Sequence, residues 1–292
     1  MRIPLIIDSN PDIDNFFAIM LINRKQFIEP KIISVVNGNI DIENSYRNAR
    51  IISKLLRLEV PIVRQKEDLS SQPEIFKQFG EDGFFDHSKD FSEKFLKEEE
   101  DTDNLDEIYK VIKNEKQKVK ILSTSNLCNI KKLFRKYPEI ISRVEEIVIN
   151  EKYFDYNIVD GKVTIDTDLD IDSIKKLTSA SIKVTILSQE LINKTKISKN
   201  TLNQIADINT ELSSLSYDML KKLYKENYNL EDILEALSLS NPEYFTGNIS
   251  SFEVIFKRLN GDIIKVKEKQ RMFYLTNINQ LKYEEEVLKM FS

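Results

Sequence analysis

Short runs of β-branched residues alternate with longer amphipathic stretches through the first two-thirds of the chain, and this alternation limits the fold more than any other feature. Runs at 3–9, 31–36, 60–63, 119–123, 145–149 and 182–187 are rich in Ile and Val, and helical patterns follow at 14–25, 42–56 and 127–137. A strand that leads through a helix into another strand closes as a βαβ unit, so the pattern predicts an α/β fold with a largely parallel central sheet flanked by helices. Within the second helical stretch, Ile51, Ile52, Leu55 and Leu56 recur at helical spacing and should pack one face on the sheet.

The remainder reads differently. Asp160-Gly161 sits between two strand-like segments at 156–159 and 162–167, which predicts a flap hairpin. Asn260-Gly261 joins 252–259 to 262–266 in the same way, ahead of an apolar run at 272–275 and a last helix ending near Phe291. A mixed carboxy-terminal part is therefore expected. Between Arg64 and Asp106 the chain is polar, and its densest acidic run, 98–101, reads as a solvated loop or helix end. No repeat or linker divides residues 1–292, so a single domain is the simplest reading.

Composition removes several function classes. The 43 basic and 48 acidic side chains are interspersed and leave a net charge of -5, which gives no basic field to capture nucleic acid. No apolar run reaches the roughly 18 residues of a membrane span. One cysteine, Cys128, precludes an internal disulfide, and Met1-Arg2-Ile3-Pro4 has no basic-then-apolar signal pattern, so cytoplasmic residence is expected.

Ligands of a parallel α/β sheet gather at the carboxyl ends of its strands. After the first strand the chain places Asp8, Asn10, Asp14 and Asn15; after the second, Asn37, Gly38 and Asn39; later ends bring 123–129 and Asn150-Glu151. An isolated Asp at such a place caps a helix, but this density of oxygens at one strand end predicts a site. His87, in the polar stretch, reads as an exposed imidazole without a role, and Cys128 as a small buried side chain. Tyr153, Phe154 and Tyr156 read as packing for the flap.

These residues resemble a family. The segment Asp8-Ser9-Asn10-Pro11-Asp12-Ile13-Asp14-Asn15 is similar to the D-x-D-P-G-x-D-D opening of the inosine-uridine nucleoside hydrolases. Val36-Asn37-Gly38-Asn39 with Arg47-Asn48-Ala49 resembles V-x-G-N and T-R-N-A, Phe79-Gly80-Glu81-Asp82-Gly83 resembles H-G-x-x-G, and Leu127-Cys128-Asn129-Ile130 with Pro138-Glu139-Ile140 resembles L-T-N-I and D-P-E-I. A weaker match resumes at Glu231-Asp232 and Asn241-Pro242. The resemblance implies hydrolysis of a nucleoside N-glycosidic bond, with Ca²⁺ holding the nucleophilic water and the ribose hydroxyls and an aspartate taking the proton. That chemistry needs a carboxylate base beside an oxocarbenium-like ribose and a shell of roughly six to eight oxygens around calcium.

Carried over by position, Asn10 stands where the family has its base and calcium ligand, Asn15 where it has a chelating Asp, Cys128 where a main-chain carbonyl ligates, and Asp232 where a third carboxylate does. An amide cannot take a proton from water at neutral pH, so the resemblance implies an altered base and a weak or absent calcium site. Asp8 and Asp14 are the carboxylates left to act in place of Asn10. Asp14, Asn39, Asn150, Asp166 and Glu231 fall at sugar- or base-contacting positions, with Phe79 and Glu231 replacing histidines and Asn150, Glu151 and Asp166 narrowing the pocket.

Three readings follow: an impaired relative that binds a nucleoside or other ribosylated ligand, a slow or altered nucleoside ribohydrolase, and a non-catalytic subunit that pairs with itself or with an active paralogue.

Overall fold

The computed structural model describes residues 2–36, 38, 40–64, 79–85, 105–153, 156–159, 162–167, 182–258, 263–265 and 270–291; within 156–167 and 250–271 the description covers the backbone. The predicted His87 and Asn39 lie outside the described residues, as does the 98–101 acidic run.

The alternation produces the expected elements. Strands β1 (Ile3–Ser9), β2 (Ile28–Val35), β3 (Ile62–Arg64), β4 (Val119–Ser123), β5 (Val144–Asn150) and β8 (Lys183–Leu187) pair in parallel, in the order β3-β2-β1-β4-β5-β8. Strand β11 (Gln270–Ile278) joins β8 in parallel, and β9 (Phe245–Arg258) turns the sheet antiparallel. The strands that flank Asp160-Gly161 and Asn260-Gly261 pair as the expected hairpins, while those four turn residues lie outside the described residues. Strand β6 (Tyr156–Val159) pairs antiparallel with β7 (Lys162–Thr167), and β10 (Ile263–Lys265) with β9. The flap thus extends the sheet through β7, which runs parallel to β9.

Alternate side chains of β1 enter different cores. Leu5 and Ile7 pack with helices on one face, while Ile6 joins Ile121, Ile147 and Ile149 on the other. Both faces are covered, which is why the strand reads as a continuous apolar run. The register between β1 and β2 slips by one residue at Pro30, which has no N–H to give the ladder.

Helix α1 (Ile13–Arg24) is buried from Ile13 to Ile22. It lies between the sheet and a helix of the carboxy-terminal half, and it therefore carries its polar first turn into the interior. Helices α2 (Ile42–Leu55), α3 (Leu105–Asn114) and α4 (Cys128–Lys136) follow in the amino-terminal half. Then come α5 (Gln189–Lys194), α6 (Lys199–Ile208), α7 (Glu211–Lys225), α8 (Glu231–Ser240) and α9 (Gln280–Lys289). Helix α8 packs on α1 and brings residues more than 200 positions away in sequence to the end of β1. No described helix is long and apolar enough to cross a membrane.

Candidate functional site at the carboxyl end of β1

Register builds the first layer. Asp8 lies opposite Ser34 of β2 and Ser123 of β4. Its carboxylate accepts from Ser34 Oγ at 2.8 Å, from Ser125 Oγ at 3.0 Å and from Ser123 Oγ at 3.5 Å. The group is fully buried, and burial outweighs the three hydroxyls, pushing it up to about 6. Asn129 supports this layer by donating to Ser34 Oγ and to the Val35 carbonyl.

Asn10 turns its side chain away from the helix. Its Nδ2 donates to the carbonyls of Val36 and Ile40, at 2.9 and 3.2 Å, and to Ser45 Oγ, while its Oδ1 accepts from Ile40 N. The amide is a staple between β1 and the connection to α2. A Cβ on Gly38 would come within 2.7 Å of Asn10 Cγ, so only glycine lets that connection close over the amide.

Two other motif residues tie the same loops. Asn48 donates to the carbonyls of Pro11 and Asp82, at 3.0 and 2.7 Å, and Ile13 N donates to Gly83 O. Gly83 has φ +75, and a Cβ there would meet Ile40 and Asp12. The Arg47-Asn48-Ala49 and Phe79–Gly83 motifs act together as a clamp on the turn between β1 and α1.

The cap of α1 is Asp12, which leaves Asp14 free for the site role that the density of oxygens suggested. Asp12 Oδ1 accepts from Asp14 N at 2.9 Å and from Asn15 N at 3.2 Å. An Asp just after Pro11 and just before the helix is the residue type and place for a cap. Burial pushes the Asp12 carboxyl up to about 6, against the hydrogen bonds from Asn15 and Asp14.

Freed from capping, Asp14 reaches α8. Its Oδ2 accepts from Glu231 N at 3.0 Å and from Tyr228 OH at 3.4 Å, and its Oδ1 is buried without a hydrogen-bond partner among the described residues. Burial, then the charges of Asp12 and Glu231, raises its pKa well above the usual carboxylate range. Tyr228 also packs edge-on against Phe79, with ring centroids 4.9 Å apart.

Asn15 and Asp232 do come together, with Nδ2 of Asn15 donating to Asp232 Oδ2 at 2.7 Å. The same Nδ2 lies 3.3 Å from the Asn10 carbonyl, and Oδ1 accepts from Thr124 Oγ1 at 2.7 Å. The Asn10 carbonyl can only accept, and so fixes which end of the amide carries the donors. Asp232 is buried, and burial together with Asp14, Glu235 and Asp12 raises its pKa strongly. Cys128 is the first residue of α4 and half-buried; a carbonyl at that place points along the helix axis into the following turn.

Further out, Glu231 accepts from Asn150 Nδ2 at 2.8 Å and pairs with Lys152 Nζ at 2.5 Å. Glu151 turns aside to Gln189 N and Tyr274 OH. Asp166 lies in β7 opposite Lys257 of β9, with its backbone described.

Sequence reading missed Lys152, Tyr228 and Glu235, and took in Thr124 only as part of the 123–129 strand end. Glu235 stands one helical turn from Glu231 and Asp232, the i+3 and i+4 spacing that places all three on one face. It is fully buried, neither carboxyl oxygen has a hydrogen bond of ordinary geometry among the described residues, and the Asn150 amide lies near enough to lower its pKa against the effect of burial. Among the described residues, no three His, Cys, Asp or Glu side chains converge as they would around a metal ion.

With this geometry, comparison with known proteins is direct. A sequence profile for inosine-uridine preferring nucleoside hydrolase matches residues 5–282. The chain is 20% identical over 259 residues to the non-specific ribonucleoside hydrolase RihC of Klebsiella pneumoniae, covering 84% of this chain and 82% of that one. Among solved structures, the inosine-uridine preferring nucleoside hydrolase of Bacillus anthracis superposes with a TM-score of 0.72 at 13% identity, over 100% of this chain and 99% of the other. The purine-preferring ribonucleoside hydrolase of Gardnerella vaginalis gives 0.71 at 18% identity, over 99% and 98%. The match across most of the sequence, and across the whole fold, shows that this chain belongs to the inosine-uridine preferring nucleoside hydrolase family.

Proposed function

We propose that this family member does not carry out calcium-dependent nucleoside hydrolysis and instead binds a nucleoside or another ribosylated molecule at the end of β1. The observation that carries the reading is the Asn10 amide. A residue in the base position must take a proton from water, and Asn10 is a neutral group whose donors are all directed at Val36, Ile40 and Ser45.

The other family-matched ligands do not fit calcium. Asn10 Oδ1 accepts from Ile40 N and Asn15 Oδ1 from Thr124, while the N–H of Asn15 lies against the one matched carboxylate, Asp232. Calcium needs a shell of hard oxygens converging on one point. Here a donor, and not a second oxygen, faces the Asp232 carboxylate.

Binding is supported by Asp14. Its Oδ1 is a buried acceptor with no described partner, the feature a sugar hydroxyl would complete. Asn39 and Asp166 belong to the same proposal as further sugar contacts.

The test is ribose release measured as reducing sugar from inosine, uridine and other nucleosides with Ca²⁺ present. The expected result is no release above the blank, together with an upward shift in melting temperature when a nucleoside binds. Release that falls when Asp8 or Asp14 is replaced by Asn would favour a slow hydrolase with a substitute base.

A further inference from the structure

We propose that the Lys152 ammonium is a resident cation of this site: from the turn after β5 it supplies the positive charge that lets the Asp14, Glu231, Asp232 and Glu235 carboxyl groups share one buried cluster without a bound metal ion. This inference is independent of whether the site turns over or binds a nucleoside.

These four carboxyl groups act on one another electrostatically. Asp14, Asp232 and Glu235 are almost wholly buried, and Glu231 is largely so. Glu235 makes the problem acute, because it is fully buried and only the Asn150 amide lies near enough to favour its charged form by hydrogen bonding, neither oxygen having a partner of ordinary geometry among the described residues. Buried carboxyl groups without a compensating charge or donor are strongly unfavourable.

Lys152 meets this need by position. Its Nζ pairs with Glu231 Oε2 at 2.5 Å, and Glu231 in turn gives its backbone N–H to Asp14. The lysine is held at both ends, since its own N–H donates to Asn150 Oδ1 at 3.0 Å and its ammonium lies 4.7 Å from the centre of the Tyr153 ring. The Asn150 amide completes the link by donating to the same Glu231 oxygen.

Its charge reaches beyond Glu231, acting to lower the pKa values of Asp12, Asp14, Asp232 and Glu235. Burial disfavours the ammonium itself. The paired Glu231 carboxylate nevertheless holds it above the usual lysine range, so it stays protonated across the physiological pH range. Asn15 provides the neutral half of the arrangement, placing an N–H against Asp232.

A charge-neutralisation cycle tests this by thermal unfolding of the full chain in EDTA and in Ca²⁺. Lys152→Met is expected to lower the melting temperature by about 5 °C or more, and Lys152→Arg to stay near the wild type. Glu231→Gln should lower the wild-type value, because it removes the partner of a cation, but raise that of Lys152→Met, because it removes an uncompensated charge. Wild-type protein should melt at the same temperature with either additive.

An unchanged Lys152→Met, a Glu231→Gln effect of the same sign in both backgrounds, or a wild-type gain of about 5 °C from Ca²⁺ would overturn the proposal. The cycle reads charge compensation, whereas ribose release reads turnover, so either proposal can fail without the other.

Discussion

Asn10→Asp, the substitution that restores the family residue, is expected to lower the unfolding free energy by about 3 kcal/mol at neutral pH and to restore no hydrolysis. In the native chain the amide donates to two carbonyls, at 2.9 and 3.2 Å, and to Ser45. An ionised carboxylate would turn an acceptor toward both carbonyls in a site that is 5% exposed. Protonated, it could replace only one of the three donated bonds. The deficit should therefore shrink as pH falls, because the new carboxyl has a raised folded-state pKa. Urea unfolding checks this as a lower midpoint at unchanged slope, with a smaller difference at pH 5 than at pH 8. An Asn10→Asp protein as stable as the wild type would show that the loop at 36–45 does not depend on the amide.

The wild-type chain should be more stable near pH 5 than at pH 7.5. Asp8 and Asp12 are each raised from 3.8 to about 6, in both cases by burial. A carboxyl with a raised folded pKa binds its proton more tightly folded than unfolded. Its stabilising contribution is full below about 4 and is lost as pH rises toward 6. At about 1.4 kcal/mol per unit, each group accounts for at most about 3 kcal/mol, an order-of-magnitude ceiling.

Asp14, Asp232 and Glu235 are shifted in the same direction, again first by burial. Glu146, Glu284 and Glu286 oppose the trend: hydrogen bonds and ion pairs outweigh burial and hold them below the usual range, so their contribution is lost only in more acidic solution. Calorimetric melting should thus rise by about 5 °C or more between pH 7.5 and pH 5. Asp8→Asn should flatten the profile between pH 4 and 6, since Ser34, Ser123 and Ser125 can still meet a side-chain amide. A melting temperature that is flat or falls on going from pH 7.5 to 5 would contradict the burial argument.

What could be read in the sequence was what depends on local pattern. The β1 run and the Asp160-Gly161 and Asn260-Gly261 turns announce strands and hairpins because side-chain periodicity and turn geometry are set by neighbours. Asp8 was legible as a strand-end carboxylate. Its three serines were not, because Ser34 and Ser123 reach it only through the register of two parallel pairs.

The candidate site was legible as a place more than as an arrangement. Asn15 was matched with Asp232, and the two meet across 217 positions. The direction of the Asn10 side chain depends on Ile40 and Ser45, and that of Lys152 on α8, and neither leaves a local signal. Asp12 shows the opposite failure: a local capping signal was present, but comparison with a glycine in relatives drew attention to what had been replaced.

The central claim is that the residues matched to a calcium site form a closed hydrogen-bonded arrangement instead. Calorimetric titration of Ca²⁺ into the full chain at neutral pH tests it most directly. The account predicts no saturable heat up to about 1 mM Ca²⁺, a range in which even weak extracellular calcium modules bind. A 1:1 isotherm with a Kd of about 10 µM or tighter would contradict it.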